Sequence, residues 1–381
     1  MRVTPATVGC PLGCRSRGHS HVVLTTQRSL KRLTLALLFL ALFRVVSCNH
    51  STPFATAPTG SGEPFQPGSP RRLTYNLGQD RAPAWLPDES GIVYSYERTD
   101  RRDRDHCLGV LPSDGGRRTQ EICEVAPAGD DSTNVLTEPA IDGSGRLAYV
   151  VTSSAVGAKA PIFASLRLAS LANPQTARVL VSLPLLTTAS QPRWLGRDTL
   201  VYLAVRVGYS TACRGCPLDT LETGNAIELL DTSQPTPQVQ LLAGTANASS
   251  VAAGATGIIY YTLNGDTRVF RRVVAAGAGS DIVVFDFGSS GIARDVQVVG
   301  SRLVAVVGGN VSFAFDSTIG YAVQRDAGGA LHVVDLTSGR DTTLAVPGQG
   351  FRRPALAPSG TRLVVEGHAG PATDLWEFVL P

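Results

Sequence analysis

The chain has 381 residues, of which 43% are hydrophobic, so it is long enough to bury a sizeable core. The net charge is +3, but seven of the 34 basic residues and none of the 31 acidic residues precede position 48, so the remainder is slightly acidic. A nucleic-acid-binding surface needs a basic stripe, and the composition therefore excludes nucleic acid as an expected partner.

The N-terminal segment has the pattern of an export signal. A basic stretch at 28–32 precedes an apolar run at 33–43. This run is shorter than the roughly 20 residues of a membrane-spanning helix and is typical of a signal-peptide core. The Val-Val-Ser-Cys sequence that ends at Cys48 resembles the bacterial lipobox, in which a small residue precedes the lipidated cysteine. The resemblance implies that residues 1–47 are removed and that Cys48 carries a lipid.

Two features leave the exact processing open. Arg44 interrupts the apolar run just before the lipobox, and residues 1–27 exceed the usual length of a basic leader, so the true start is open. Ordinary secretion with cleavage near 55–57 is the alternative to lipidation. Asn49 after the cysteine resembles the signal of outer-membrane cargo. Residues 48–70 are rich in Ser, Thr, Pro and Gly and form a flexible tether. The sequence thus predicts an outer-membrane lipoprotein facing the periplasm or the cell surface, with only its lipid in the membrane.

Four cysteines follow Cys48, and an even number in an oxidising compartment favours two disulfides. Cys107 and Cys123 flank a predicted turn at 112–116, so we expect them to meet across one hairpin. Cys213 and Cys216 would close a very small ring. Their spacing also suggests redox or zinc chemistry, but a thioredoxin-like context and a second cysteine pair are both missing.

A repeated pattern of strand, proline-containing turn and strand runs through residues 71–381. The copies are about 54 residues apart, and each holds alternating or β-branched runs typical of strands. The sequence predicts six four-stranded units, of which the last lacks a strand. We expect the N-terminal strand at 72–77 to complete it and close the ring. The copies begin at Pro83-Ala-Trp85, Pro139-Ala-Ile141, Pro192-Arg-Trp194, Ser250-Val251, Asp295-Val296 and Pro354-Ala-Leu356.

The first copy, Ala82-Pro-Ala-Trp-Leu-Pro-Asp-Glu-Ser-Gly-Ile-Val-Tyr94, resembles the repeat of TolB-like and WD-like β-propellers, in which Trp-Ser-Pro-Asp-Gly precedes an apolar strand. It departs from that repeat at Leu86, which replaces Ser, and in the two residues inserted before Gly91. The resemblance implies an all-β fold, a six-bladed β-propeller over residues 71–381 closed by an N-terminal strand that completes the last blade.

The tryptophans and the turn aspartates each allow a functional and a structural interpretation. Trp85, Trp194 and Trp376 could stack on a sugar or peptide, but the first two occupy repeat-equivalent positions, so we expect them in the core between blades. Asp88 and Asp142 lie in tight turns, where Asp bonds its own backbone, so we expect turn chemistry and not acid–base chemistry.

The remaining charged and imidazole groups give no site. The charge run at 98–106 could bind Ca²⁺ through its carboxylates, but the interleaved arginines favour a solvated hairpin loop. His332, in a predicted strand, and His368, in a predicted loop, have no metal-ligand neighbour in the sequence.

No motif of a serine hydrolase, a zinc peptidase or a phosphate-binding loop occurs, so the sequence predicts no catalytic residue, cofactor or metal. We expect a monomeric propeller that binds an envelope protein or peptide through its long insertions, 209–225 and 310–325. The alternatives are a carbohydrate-active propeller enzyme with carboxylates or histidines at one channel mouth, and a peptidase-like propeller without its catalytic domain.

Overall fold

A computed structural model of the chain describes residues 70–75, 78–98, 106–124, 132–155, 163–185, 187–209, 220–309, 313–316, 321–324, 328–346, 348–368 and 373–380. The predicted signal segment 1–47, Cys48, the tether to residue 69, and both Cys213 and Cys216 lie outside these residues. Within the described residues, no helix has the length and apolar character needed to cross a bilayer.

Strands account for nearly all of the regular structure, as the alternating and β-branched runs predict. Among the described residues, three short 3₁₀ turns, 274–276, 278–280 and 288–290, interrupt the strands. In chain order the strands are β1 Pro70–Arg72, β2 Asp80–Trp85, β3 Gly91–Glu97, β4 His106–Pro112, β5 Gln120–Ile122, β6 Ser132–Ile141, β7 Arg146–Ala155, β8 Phe163–Ser170, β9 Asn173–Ser182, β10 Thr187–Trp194, β11 Thr199–Tyr209, β12 Thr220–Asp231, β13 Val239–Leu241, β14 Ala248–Ala253, β15 Ile258–Leu263, β16 Arg268–Val273, β17 Ile282–Asp286, β18 Ile292–Val299, β19 Arg302–Gly308, β20 Phe313–Asp316, β21 Tyr321–Gln324, β22 Ala330–Asp335, β23 Arg340–Leu344, β24 Gly350–Leu356, β25 Arg362–His368 and β26 Thr373–Val379.

The strands form antiparallel sheets. Four sheets have four strands each, in the orders β10-β11-β12-β13, β14-β15-β16-β17, β18-β19-β22-β23 and β1-β26-β25-β24. The runs β2–β5 and β6–β9 are merged into one eight-stranded sheet by a single parallel pair, His106 with Val135. The sequence predicts six separate units, and the difference arises because the start of β6 runs beside β4. Strands β20 and β21 form a separate hairpin.

The first strands of these runs make a closed ring around a central channel. Each of β2, β6, β10, β14, β18 and β24 contacts the next, and β24 contacts β2. We call these six the inner strands. The hydrophobic core is divided in the same way, because six clusters of buried residues each lie between two successive runs of strands. Leu166 and Tyr202, for example, meet between β6–β9 and β10–β13.

The N-terminal strand closes the ring, as predicted, but it is shorter and earlier than the expected 72–77. Strand β1 pairs antiparallel with β26 from Pro70 to Arg72. The ladder ends there because the Thr74 hydroxyl, and not a backbone carbonyl, accepts the Leu375 N–H at 2.9 Å. The buried Glu377 carboxylate holds the seam together through Arg71 at 2.6 Å and Arg362 at 2.5 Å.

Candidate functional site: the central channel and the long-connection face

Every inner strand carries a bulge at a repeat-equivalent position, seen as a register shift against its neighbour. On five of the six strands the bulge places a non-glycine residue in the left-handed region, with φ between 47° and 53°. This conformation is costly for residues with a Cβ atom, so the surroundings must hold it. The five residues are Ala82, Glu138, Gln191, Asp295 and Arg353.

Hydrogen bonds connect these bulges around the ring. In each bond a backbone N–H at one bulge donates to a side chain that comes from the preceding run of strands. The bonds are Gln191 N to Glu138 Oε2 at 3.1 Å, Val251 N to Gln191 Oε1 at 2.9 Å, Val296 N to Ser250 Oγ at 3.3 Å, Arg353 N to Asp295 Oδ2 at 3.3 Å and Ala82 N to Glu366 Oε1 at 2.6 Å. The bulges thus orient these backbone N–H donors toward side chains of the preceding run of strands.

Side chains also cross the channel. The Arg353 guanidinium on β24 contacts Glu138 Oε1 on β6 at 2.9 Å and donates to Ser190 Oγ on β10 at 2.7 Å. Gln191 Nε2 on β10 donates to Asp295 Oδ1 on β18 at 2.8 Å. These strands are not neighbours in the ring, so the bonds span the channel. We call Glu138, Ser190, Gln191, Asp295 and Arg353 the channel plug, because these side chains fill the channel at this level.

Charge is balanced within and around the plug. The Glu138 carboxylate contacts the guanidinium of Arg353. Arg193 on β10 lies within electrostatic range of Glu138, Asp295 and Arg353. Burial, reinforced by Arg353, lowers the pKa of Arg193 to about 10 against the attraction of the two carboxylates. In the part of the chain that the structure describes, no group of three or more His, Cys, Asp and Glu side chains is placed to hold a metal.

A histidine–carboxylate pair lies beside the plug. His368 Nε2 is 3.3 Å from Glu366 Oε2, and Thr373 Oγ1 is 3.5 Å from His368 Nδ1. Burial opposes ionisation of Glu366, but His368, Arg353 and Arg81 lower its pKa to about 2, so it is charged. The order hydroxyl, imidazole, carboxylate is that of a nucleophile relay. Thr373 is only 2% exposed, however, so its hydroxyl is closed to a substrate.

The two ends of the ring differ. The connections from first to second strand are short turns, 86–90, 142–145, 195–198, 254–257, 300–301 and 357–361. The connections from second to third strand include much longer ones, 98–105, 156–162, 210–219 and 309–329. Since neighbouring strands are antiparallel, the two kinds of connection lie at opposite ends of the ring. We call these ends the tight-turn face and the long-connection face.

The described parts of both predicted recognition insertions lie on the long-connection face, and the structure brings these parts together. Within 209–225, the ladder of β11 and β12 continues to the pair Tyr209 and Thr220. Within 310–325, strands β20 and β21 form their hairpin. Strand β12 contacts β20 although the seven strands β13–β19 lie between them in the chain. The sequence offers no sign of this contact.

The predicted core tryptophans and turn aspartates are where we expect them. Trp85 Nε1 donates to the Ala355 carbonyl at 2.9 Å, and Trp194 Nε1 makes the equivalent bond to Ala140 at 3.1 Å. Trp376 is partly buried against the cluster between β18–β23 and β24–β26. Asp88 and Asp142 accept the backbone N–H groups of Ser90 and Ser144 at 3.1 Å and 3.0 Å, which confirms turn chemistry.

The other predicted residues have structural surroundings. Cys107 and Cys123 form a disulfide that joins β4 to the residue after β5. His332 Nδ1 is 2.8 Å from Asp341 Oδ2 on the neighbouring strand. His368 ends β25, so its expected place in a loop is wrong. Residues 99–105 of the charge run lie outside the described residues.

Sequence reasoning missed the channel plug. Three of its members, Glu138, Gln191 and Arg353, directly precede the repeat prolines that define the alignment. A comparison of the residues before each proline would have shown that polar side chains occupy an otherwise apolar repeat. The residue directly before the repeat proline therefore carries the sequence signal for the plug.

No protein-family model matches the chain, and no curated protein matches it in sequence. Solved structures are similar in fold. Over 83% of this chain and 96% of its own, luciferin-regenerating enzyme superposes with a TM-score of 0.51 at 13% identity. The fold is a β-propeller.

Two further solved structures are similar. TolB from Acinetobacter baumannii has a TM-score of 0.49 and 14% identity over 77% of this chain, which spans only 64% of TolB. The WD40 repeats of RRP9 have a TM-score of 0.48 and 11% identity over 84% of this chain and 100% of their own.

Proposed function

We propose that the protein is a binding or assembly module of the bacterial envelope that captures a protein or peptide on its long-connection face. The observation that carries this proposal is the contact of β12 with β20, which joins two separate insertions on one face of a rigid ring. Binding sites on rigid scaffolds are commonly built from such insertions. The channel plug supports the same conclusion, since it leaves the face and not the channel axis for recognition.

We further propose that the propeller has six blades. The eight-stranded sheet has two inner strands, β2 and β6, and each begins its own antiparallel run of four strands. The two runs share only one parallel pair, and a separate hydrophobic cluster fills the space between them. Counted in this way, every blade has four strands and every gap between blades has its own core.

The direction of the N-terminal strand is compatible with a lipid anchor on the side opposite the proposed binding face. Strand β26 runs away from the long-connection face, and β1 is antiparallel to it, so the chain before Pro70 reaches the ring at the tight-turn face. A lipid on Cys48 would attach the protein to the outer membrane through a flexible tether that joins the propeller at the tight-turn face. The long-connection face would then be free of the tether, so an envelope partner could reach it.

The test is chemical crosslinking in intact cells, followed by mass spectrometry of proteins that co-purify with the tagged chain. We compare the wild type with a variant in which both 210–219 and 310–327 are replaced by short Gly-Ser linkers. A matched control shortens the tight-turn connection 357–361. The proposal expects one envelope protein to be lost only with the double replacement. Equal recovery from all three chains would contradict it.

A carbohydrate-active enzyme is the second candidate, and one observation favours it. The Glu366 and His368 pair beside the channel combines a carboxylate with an imidazole, although Glu366 is only 4% exposed. A glycan screen with the wild type and Glu366→Gln tests this candidate. Turnover that disappears in the variant would support an enzyme, and no turnover of any glycan would remove the candidate.

A further inference from the structure

Arg81 is a charged side chain beside the channel, on the side where we propose recognition. It lies on β2 directly before the bulge at Ala82. The inner strands run from the long-connection face to the tight-turn face, because each is followed by a tight turn. A residue directly before a bulge therefore lies on the long-connection side of the channel plug.

The guanidinium of Arg81 makes no hydrogen bond or ion pair with any residue in the described parts of the chain. Its Nε is buried without an acceptor, whereas its two terminal nitrogens reach solvent and the residue as a whole is partly exposed. Arg353 on β24 differs, because Glu138 and Ser190 hold its guanidinium. The terminal N–H groups of Arg81 are thus left for a molecule that the described fold does not supply.

The groups around Arg81 do not take up its N–H donors. Glu366 lies within electrostatic range of Arg81. The Glu366 carboxylate instead accepts the Ala82 N–H at 2.6 Å and lies 3.3 Å from His368. His106 is also within range, and burial together with Arg81 lowers its pKa to about 3, so it carries no charge at neutral pH. A guanidinium with a shielded, unpaired Nε lowers stability, and an anion that supplies an acceptor offsets this loss.

We propose that Arg81 receives a carboxylate of the peptide that the long-connection face captures. The guanidinium presents a planar set of N–H donors, which matches a carboxylate in two parallel hydrogen bonds. A peptide offers carboxylates at its C-terminus and in its Asp and Glu side chains. This inference rests on the proposed function, since it names the chemical group by which the captured peptide is recognised.

The channel plug sets the depth that a peptide can reach. Its side chains close the channel at the level of the bulges, through the contacts of Arg353 with Glu138 and of Gln191 with Asp295. Arg81 directly precedes the bulge of its own strand. A peptide that enters from the long-connection face therefore meets Arg81 before it meets the plug.

Peptide binding to the purified full chain, in a non-ionic detergent, tests the site. The probes are short-peptide libraries attached to beads through their N-termini. One has a free C-terminus and no Asp or Glu, one has an amidated C-terminus with Asp and Glu, and one has an amidated C-terminus without either. We expect binders from the first or the second library, which identifies the source of the carboxylate. Equal retention of the third library, or no retention of any, would overturn the proposal.

Two arginine variants locate the binding. Arg268→Gln is the matched control for Arg81→Gln, because Arg268 is an exposed arginine at the same face that Asp266 already pairs at 2.8 Å. For a retained peptide, measured by fluorescence anisotropy, we expect the affinity to fall about tenfold to a hundredfold in Arg81→Gln and to stay unchanged in Arg268→Gln. Equal losses in both variants would indicate general charge attraction and would contradict the site.

Thermal unfolding and a conservative variant separate binding from folding. Since Arg81 has no partner among the described residues, we expect Arg81→Gln to unfold at the wild-type temperature. Arg81→Lys keeps the charge but not the paired donors, so we expect it to bind with intermediate affinity. A large loss of stability in Arg81→Gln, or wild-type affinity in both variants, would contradict the proposal.

The crosslinking experiment in cells distinguishes this inference from the proposed function. An envelope partner that is lost from the double loop replacement but fully kept by Arg81→Gln would overturn the role of Arg81 alone. Loss of the same partner from both chains would support both proposals. If the wild type captures no partner, the proposed function fails, and the peptide libraries alone decide whether Arg81 binds a carboxylate.

Discussion

Arg353 and Glu138 lie on inner strands β24 and β6, which are not neighbours in the ring, and their side chains meet across the channel at 2.9 Å. Both backbones are in the left-handed region, with φ of 47° and 53°. The pair therefore joins two locally costly conformations through a buried ion pair. This relationship closes the channel at the level of the plug.

Removal of the Arg353 side chain is expected to destabilise the fold strongly. Arg353→Ala leaves the Glu138 carboxylate buried without its guanidinium, which costs about 3 kcal/mol of unfolding free energy. Urea unfolding measures this loss. Arg268→Ala is the matched control, because the Arg268–Asp266 pair is exposed and close in sequence, so its loss should be barely measurable. Equal effects of both substitutions would contradict the role of the plug.

Glycine at the first bulge is expected to stabilise the protein. Ala82 has a φ of 48°, which glycine adopts without the Cβ penalty, so Ala82→Gly should raise the unfolding free energy by about 0.5 kcal/mol. Ala84, two residues later on the same strand, has ordinary strand geometry, and Ala84→Gly should lower it by a similar amount. A gain of stability in Ala82→Gly and a loss in Ala84→Gly, measured by thermal unfolding, would identify the bulge. A loss of stability in both variants would show that Ala82 is not left-handed.

Reduction of the Cys107–Cys123 disulfide is expected to lower stability by about 3 kcal/mol, since the two cysteines are 16 residues apart in sequence. Chemical unfolding with and without a reductant measures this difference. The double variant Cys107→Ser, Cys123→Ser should match the reduced wild type and should not respond further to reductant. An unchanged midpoint on reduction of the wild type would show that the bond is absent.

Acid is expected to destabilise the fold through His106. Burial and the nearby Arg81 lower the pKa of His106 from 6.5 to about 3, so the folded protein holds it neutral. Between these two values the unfolded chain binds the proton and the folded chain does not, so stability falls as pH falls, by up to about 1.4 kcal/mol per pH unit.

The range between pH 6.5 and 5 isolates this effect, because the Glu366 contribution is lost only below its unfolded pKa of 4.5. In unfolding measured over this range, His106→Gln should reduce the slope of stability against pH. A slope identical to that of the wild type would mean that another group causes it.

The fold could be predicted from the sequence because the strands of each repeat are determined by the residues within them and directly beside them. The runs that begin at Arg146, Thr199 and Arg302 are β-branched and bounded by turn residues, and all three begin strands at those residues. The turn roles of Asp88 and Asp142 were predictable for the same reason, since an Asx turn needs only nearby residues. The N-terminal strand lies earlier in the chain than the predicted 72–77, because the Thr74 hydroxyl replaces a backbone carbonyl as the acceptor and ends the ladder.

The site could not be predicted in the same way. The bonds of Arg353 to Glu138 and of Gln191 to Asp295 join distant parts of the chain, and they depend on the radius of the ring. No glycine or proline at or next to Asp295 indicates its left-handed φ. The contact of β12 with β20 likewise depends on how far two insertions extend above the strands between them.

Site-specific photocrosslinking in living cells tests the central claim most directly. A photoreactive amino acid is placed at Asn264 or Ser289, which are exposed on the long-connection face, or at Ser144 or Ser338, which are exposed on the tight-turn face. Our account predicts crosslinks to an envelope protein other than this chain from the first two positions and none from the last two. Crosslinks to such a protein from Ser144 or Ser338 alone would contradict it.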